Sequence, residues 1–233
     1  MKSVGIIGGV GPATTGKFYE KIIQGCQELE RGLNNQYRPH VFIASVPISY
    51  EEEENEILYG IISRHKELLK DEAVNLEKAG SDFICMPCNT LHRFASDIQE
   101  AINIPFVNII NETVDFIMNN KLSKIGLLST GLTASSKLYE SVFNKIGINF
   151  LSTNKTEQDE LNSIIFRLTN NKQTKEDKKY CEDIIEKMYN NGADSIILAC
   201  TDLQLLGLQS TNIKIYDTLE ILASSVIKKI IND

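Results

Sequence analysis

Short β-branched runs alternate with amphipathic stretches along the whole chain. Ser3–Ile7, Val41–Val46, Phe83–Met86, Phe106–Asn108, Ile125–Leu128, Ser195–Leu198 and Ile213–Tyr216 are mostly apolar and predict strands. Between them, apolar residues recurring every three or four positions predict helices such as Tyr59–Lys78, Thr133–Lys145 and Lys178–Asn190, with Gly80, Gly147 and Gly192 where helices are expected to end. That alternation predicts an α/β fold with mainly parallel sheets. Arg31–Pro39 and Asn170–Asp177 read as surface loops.

Comparing the chain with itself adds organisation. GSDFICMPCNTL (Gly80–Leu91) and GADSIILACTDL (Gly192–Leu203) share G-x-D-x-I-x-x-x-C-x-x-L, with the glycine eight residues before the cysteine in both. SVGIIGGVG (Ser3–Gly11) matches KIGLLSTGL (Lys124–Leu132), and each leads to K-F-Y-E (Lys17–Glu20) or K-L-Y-E (Lys137–Glu140). After each cysteine comes another short strand, NIPFVN (Asn103–Asn108) or NIKIYD (Asn212–Asp217). Landmarks recurring in one order predict two similar α/β lobes, each contributing one strand-end loop and one cysteine. An approximate two-fold axis between such lobes would set the two sulfurs across a shared cleft.

Composition narrows the function classes. A chain of 233 residues, 42% hydrophobic and 24% charged, has enough apolar surface for one large or two small globular domains. The net charge of −7 and the lack of a dense basic cluster argue against nucleic acid or an acidic membrane surface as partner and favour a small-molecule ligand. Apolar runs are short, so neither a transmembrane helix nor a signal peptide is expected, and the expected location is the cytosol. Five cysteines without a disulfide-framework spacing point to buried or catalytic thiols.

The stretch GGVGPATTGKF (Gly8–Phe18) raises phosphate binding as a possibility to test. From Gly11 it reads G-x-x-x-x-G-K, but the Ser or Thr that would bind Mg²⁺ is Phe18, and the second copy, STGLTASSKL, drops the glycine pattern. A dinucleotide fingerprint fails at its third glycine, which is Thr14, and no acidic residue ends the second strand. Two readings stay open. Gly8, Gly9 and Gly11 permit close backbone approach to a small anion such as a carboxylate at a strand end, or they make a tight turn and nothing more.

Cys88 and Cys200 stand where strands end, at the ligand-facing rim of a parallel sheet, where a helix dipole lowers a thiol pKa. Asn89 and Thr90 follow one, Thr201 and Asp202 the other, short polar side chains able to cap a helix or bond a carboxylate. A base on one face of a carbon and an acid on the other invert a stereocentre, and thiolate and thiol can exchange those roles. Cys26 and Cys181 read as core residues. Other chemistries use the same residues: Cys85-Met86-Pro87-Cys88 is a C-x-x-C suited to thiol–disulfide exchange, and Cys85, Cys88 and His92 give three zinc-ligand types without a fourth. A non-catalytic amino-acid-binding protein also fits. His92 is placed to tune Cys88 or to serve the helix alone, and His40 and His65 read as surface residues.

GGVGP, PCNTLH (Pro87–His92), STGLT (Ser129–Thr133) and CTD (Cys200–Asp202) together resemble the cofactor-independent aspartate/glutamate racemases over nearly the whole chain. The resemblance implies two three-layer α/β lobes with the site in the cleft between them. It implies Cys88 and Cys200 as acid and base, no pyridoxal phosphate, and a homodimer; no other cofactor and no metal is expected. The final helix would return to the first lobe, giving 1–112 plus 211–233 and 113–210. Asn89, Thr90, Thr130, Thr133 and Thr201 would surround the substrate's α-carboxylate and amine, joined by Gly9, Val10 and Gly11 of the first loop and by Asp202. Family members acting on acidic substrates carry a P-D-R-T-like stretch and a later lysine. Here VPISYEEEENEI (Val46–Ile57) has no basic residue, and IIFRLTNN (Ile164–Asn171) has Arg167 but no lysine. Aspartate or glutamate is thus the family default, while the residues admit a neutral or basic amino acid, with Glu51–Glu54 either a solvated first helical turn or a partner for an ammonium group.

Overall fold

Parallel strand pairing organises the chain, and it does so twice. A computed structural model describes residues 1–30 and 38–231; most of the expected Arg31–Pro39 loop lies outside the described residues. The first sheet has order β2-β1-β3-β4, from β1 (Val4–Gly8), β2 (Val41–Ser45), β3 (Phe83–Cys85) and β4 (Phe106–Val107). The second repeats it as β6-β5-β7-β8, from β5 (Lys124–Ser129), β6 (Asn149–Leu151), β7 (Ser195–Ala199) and β8 (Lys214–Asp217). Every pairing is parallel, so each strand needs a crossover to reach its neighbour. Helices supply most of these crossovers: α1 (Pro12–Glu30), α2 (Tyr50–Tyr59), α3 (His65–Lys78) and α4 (Ala95–Ala101) in the first sheet, α6 (Gly131–Ser135), α7 (Glu140–Ile146), α8 (Lys155–Thr169) and α9 (Lys175–Asn190) in the second, while α5 (Ile109–Asn119) links β4 to β5 and α10 (Thr218–Ile231) follows the last strand. The fold is α/β, and each expected strand is present with ends moved by a residue or two. Among the described residues no helix is long and apolar enough to cross a membrane.

The repeated G-x-D has a structural purpose. Asp82 N–H donates to the Ser3 carbonyl at 2.9 Å while its carboxylate accepts from Ser3 N–H at 2.6 Å. Asp194 does the same one repeat later, donating to the Lys124 carbonyl at 2.8 Å and accepting from the N–H groups of Ser123 and Lys124, each at 2.8 Å. Each aspartate therefore latches the start of its own strand to that of the central strand, and the register follows: Val4 opposite Phe83, Ile125 opposite Ser195. The chain divides into two compact units, Met1–Ile48 with Ser63–Glu112 and Leu219–Asp233, and Ser49–Ile62 with Thr113–Thr218.

Two segments change sides relative to the expected division. Ile213–Tyr216 was expected with 1–112, but β8 is hydrogen-bonded to β7 and so completes the second sheet. Residues 49–62 join the second unit because Ile57 of α2 is buried in the cluster of Leu161, Ile164, Ile165 and Leu168 from α8. The C-terminal helix α10 returns to the first unit: its Ile227 lies over Gly25 of α1, where a methyl group would come within 2.3 Å.

Local chemistry accounts for the other differences. The expected helix Tyr59–Lys78 is two helices, because Gly60 takes the left-handed conformation that ends α2 and α3 restarts at His65. The expected Thr133–Lys145 is likewise α6 and α7, separated where Lys137 sits at φ 54. That left-handed residue shifts the second copy of the K-x-Y-E landmark: Phe18 is buried in one repeat, Tyr139 in the other. Asn170–Asp177 is loop only as far as Thr174, whose hydroxyl caps α9 in a capping box with Asp177. Ser49 with Glu52 and Asn154 with Glu157 start α2 and α8 in the same way, S/N-x-x-E signals that are readable in sequence. The edge strand β6 is only three residues with an exposed start, too short for the alternating pattern to show.

Burial raises the Asp194 carboxyl, but the N–H groups of Lys124 and Ser123 and the hydroxyls of Ser195 and Ser123 outweigh it and hold the pKa below the ordinary 3.8. A carboxyl depressed on folding stabilises above its unfolded pKa and loses that contribution as pH falls through the folded value. Asp194→Ala should cost about 1 kcal/mol at pH 7, the latch being solvent-screened. Urea unfolding at pH 7 and pH 3 should show the gap between wild type and variant narrowing at the lower pH.

Candidate active site

Each sheet ends its two central strands side by side, and the candidate residues sit on the loops that leave them. In the first unit β1 runs out into Gly8–Gly11 and β3 into Met86–Thr90; in the second β5 leads to Thr130 and β7 to Cys200. Gly9, Val10, Gly11, Cys88, Asn89 and Thr90 therefore share one sheet rim, and Thr130, Thr133, Cys200, Thr201 and Asp202 share the other.

The first loop is built on glycine for a reason visible at Gly9, which has φ 84 and whose hypothetical Cβ would lie 2.5 Å from the backbone N and O of Val46. Thr15 ties the turn: its hydroxyl accepts from Gly9 N–H and donates to the Gly11 carbonyl, both at 3.1 Å. Helix α1 begins at Pro12, so Gly16 and Lys17 lie inside it with Lys17 exposed, and the G-x-x-x-x-G-K spacing forms no phosphate cradle. The second loop is held differently. Thr130 caps α6 by accepting from Thr133 N–H at 3.1 Å and donates to the Thr133 hydroxyl at 2.9 Å. Behind it, Asn162 accepts from Gly131 N–H at 2.8 Å, and Gln158 donates to the Ser129 carbonyl and to Asn162, each at 2.9 Å. Thr153, whose hydroxyl donates to Gln158 Oε1 at 2.6 Å, was not singled out in the sequence, nor were Gln158 and Asn162; the capping box at Asn154 signals the helix that carries the last two, but not which face they occupy.

The five cysteines separate by position. All are free thiols; Cys26, Cys85 and Cys181 are fully buried, whereas Cys88 and Cys200 keep 9% and 6% exposure at their loops. Burial pushes the Cys85 thiol well above its ordinary range and Cys181 up to about 12. A thiol so disfavoured as thiolate is a poor partner for disulfide exchange, which counts against the C-x-x-C reading. Cys200 stands at the N-cap of the 3₁₀ helix Thr201–Leu206, whereas Cys88 precedes Asn89, the N-cap of Thr90–Phe94, and neither start uses a side-chain capping bond, contrary to the expected caps from Asn89 and the residues after Cys200.

His92 is buried with both ring nitrogens engaged: Nδ1 lies 2.5 Å from the Cys88 carbonyl, and Nε2 is 3.1 Å from Ile109 N–H, from which it accepts. Burial lowers its pKa to about 4, so the ring is neutral, with the proton on Nδ1. No lone pair remains for zinc, and among the described residues no group of three or more His, Cys, Asp or Glu side chains is arranged to hold a metal ion. His65, expected at the surface, is buried at the start of α3.

Charge in the second unit is acidic near Cys200. Glu52 is committed to capping α2, while Glu56 and Asp202 are buried. Burial raises the Glu53 carboxyl pKa, a Thr169 hydrogen bond opposes this, and the charges of Asp202 and Glu56 raise it further. Arg167 bonds Asp177 through Nε and Nη2 at 3.1 and 2.6 Å and Glu160 at 2.8 Å, so its guanidinium serves the α8–α9 contact.

The family model for Asp/Glu/hydantoin racemases matches residues 7–226. The broad specificity amino-acid racemase RacX of Bacillus subtilis (strain 168) is 32% identical over 228 residues, 96% of each chain. Among solved structures, the aspartate racemase homologue PH1733 from Pyrococcus horikoshii OT3 superposes with TM-score 0.79 at 29% identity, covering 99% of both chains. Picrophilus torridus aspartate racemase gives 0.80 at 27% identity, covering 99% of this chain and 94% of that one.

Differential exposure should be directly measurable. Iodoacetamide at pH 8 should label Cys88 and Cys200 at least about 10-fold faster than Cys26, Cys85 and Cys181, since only thiolates at accessible positions react. Peptide mass spectrometry would give the order of labelling, and preferential modification of Cys85 would contradict it.

Proposed function

The chain belongs to the Asp/Glu/hydantoin racemase family, and from that premise we propose that Cys88 and Cys200 are the acid–base pair with which this amino-acid racemase interconverts the enantiomers of a free amino acid. The reading rests on one observation: two sheets of identical strand order each deliver a largely but not fully buried cysteine from the loop after the third strand, followed by short polar side chains. In the forward direction one sulfur, as thiolate, takes the α-proton and becomes a thiol. The electron pair left on the α-carbon is delocalised into the substrate carboxylate. The opposite thiol then gives its proton to the other face and becomes the thiolate, and the reverse reaction exchanges the roles.

The carboxylate gains negative charge in that step, so fixed donors around it accelerate the reaction. Gly9 N–H being committed to Thr15, the first loop's contribution is assigned to Val10 and Gly11. Asn89, Thr90, Thr130, Thr133 and Thr201 complete the set around the α-carboxylate and amine. Asp202 is assigned to the substrate ammonium or side chain. As the resemblance implies, the enzyme works as a homodimer.

For the side chain we infer a neutral or cationic group. Arg167, in the last turn of α8, is bound to Asp177 and Glu160, and Glu53, Glu56 and Asp202 would repel a distal carboxylate. The name of the Bacillus relative, broad specificity, is compatible with such a site.

Incubation in deuterium oxide should give product carrying solvent deuterium at the α-carbon while early unreacted substrate retains protium, the signature of two separate bases. Cys88→Ala and Cys200→Ala should each reduce racemisation by about 10³-fold or more, whereas Cys85→Ala should retain most activity. Inversion that survives loss of either thiol would sink the mechanism.

Across a panel of amino acids, neutral or basic substrates should exceed aspartate and glutamate in kcat/KM by at least about 10-fold, the weight of one ionic contact. Arg167→Met should lower stability by about 2 kcal/mol by stranding Asp177, yet leave that preference unchanged. A preference for acidic amino acids that Arg167→Met abolishes would reassign Arg167 to the substrate.

A further inference from the structure

We propose that His92 is a positioning residue that sets the place of the Cys88 thiol through the Cys88 main chain, tethering it to the first turn of α5, and that it moves no proton in the reaction. The inference rests on the reading of Cys88 as a reacting thiol. His92 Nδ1–H donates to the Cys88 carbonyl at 2.5 Å, and Nε2 accepts from Ile109 N–H at 3.1 Å, so one rigid ring spans the loop after β3 and the start of the helix after β4. These two loops leave neighbouring strands, Ile84 pairing with Phe106 and Cys85 with Val107. The ring lies against Phe106 with centroids 5.3 Å apart, and the residue is 3% exposed, so its orientation is set by packing as well as by its two bonds.

The start of α5 is itself anchored. Asn108 Oδ1 accepts from the N–H groups of Ile110 and Asn111 at 2.8 and 3.3 Å. The tether therefore joins Cys88 to a fixed point. A ring that holds one main-chain carbonyl and one main-chain N–H has no nitrogen left for the sulfur, and burial keeps it neutral over the physiological range. The second unit lacks the device: the matching position is Gln204, which bonds the Thr201 carbonyl at 3.0 Å within its own turn. The two thiols are thus positioned by different means, and His92 acts on Cys88 alone.

Asn and Gln separate the two ends of the tether, because the Asn amide reaches where Nδ1 lies and the Gln carbonyl where Nε2 lies. The experiment measures α-deuterium exchange, the pH dependence of kcat/KM and the alkylation rate of Cys88 in wild type, His92→Ala, His92→Asn and His92→Gln. Loss of the tether in His92→Ala should lower kcat about 10- to 100-fold with KM changed less than about 3-fold, as expected for a reacting group displaced by up to an ångström. His92→Asn, which keeps the bond to Cys88, should recover most of that loss, and His92→Gln should recover less. The pH at which Cys88 alkylation reaches half its maximum should stay within about half a unit of wild type in His92→Asn, since a neutral ring contributes no charge to the thiol.

A shift of that midpoint by more than about a unit, or rescue by Gln and not Asn, or wild-type kcat in His92→Ala, would overturn the assignment. Alkylation reports on Cys88 without turnover. Absence of exchange in the wild type would therefore count against the racemase reading, while a Cys88 alkylation rate equal to wild type in all three variants, His92→Ala included, would count against His92.

Discussion

The adjacency of two parallel strands carries the architecture: β1 beside β3 in one unit and β5 beside β7 in the other. Each pair is latched at its start by an aspartate, Asp82 or Asp194, whose main chain and side chain both bond the opening of the neighbouring strand. A latched start sets the register, and a set register brings the opposite ends out together. The glycine loop and the Cys88 turn share a rim for that reason, as do the Thr130 loop and Cys200. Parallel sheets leave their strand ends open to ligands because the crossovers cover the faces and not the rims.

Chemistry then follows from how far along the strand each cysteine stands. Cys85 lies within β3 and Cys88 three positions further on, and that small displacement separates a thiol whose ionisation is suppressed from one at the loop. Desolvation is the cause, since burial penalises the charged thiolate and costs the neutral thiol little. His92 belongs to the same economy of placement. Its ring is spent on the main chain at both ends, which removes it from proton transfer and from metal binding while fixing the loop that carries Cys88.

Side-chain charge around Cys200 is organised by packing between helices. The acidic helix α2 joins the second unit through Ile57, and this brings Glu53, already beside Glu56 on its own helix, into the field of Asp202. The guanidinium that stands on the neighbouring helix is held by Asp177 and Glu160, an arrangement that neutralises a buried carboxylate at the α8–α9 junction. On the proposed reading, the negative charge gathered there disfavours an acidic substrate side chain relative to an uncharged or cationic one.

Much of this was legible in the amino-acid order alone. Strands showed as β-branched runs, since a strand buried on both faces needs apolar residues at every position, and the internal repeat exposed the two sheets because equal topology demands equal landmarks. The rim position of Cys88 and Cys200 followed from strand ends. Breaks at Gly60 and Lys137 were not legible, because apolar spacing continues across a left-handed residue without interruption. The allegiance of α2 and β8 depended on which unit offered a matching apolar face or a free strand edge, a property of surfaces assembled from distant residues. The fate of polar side chains was decided at the same level: Arg167, Gly9 N–H and His92 each had several chemical options, and only folding chose the partner. Sequence specified which groups exist and at what spacing along strands; the three-dimensional structure determined which of them are already taken, because a hydrogen bond made in the interior withdraws its group from any other use.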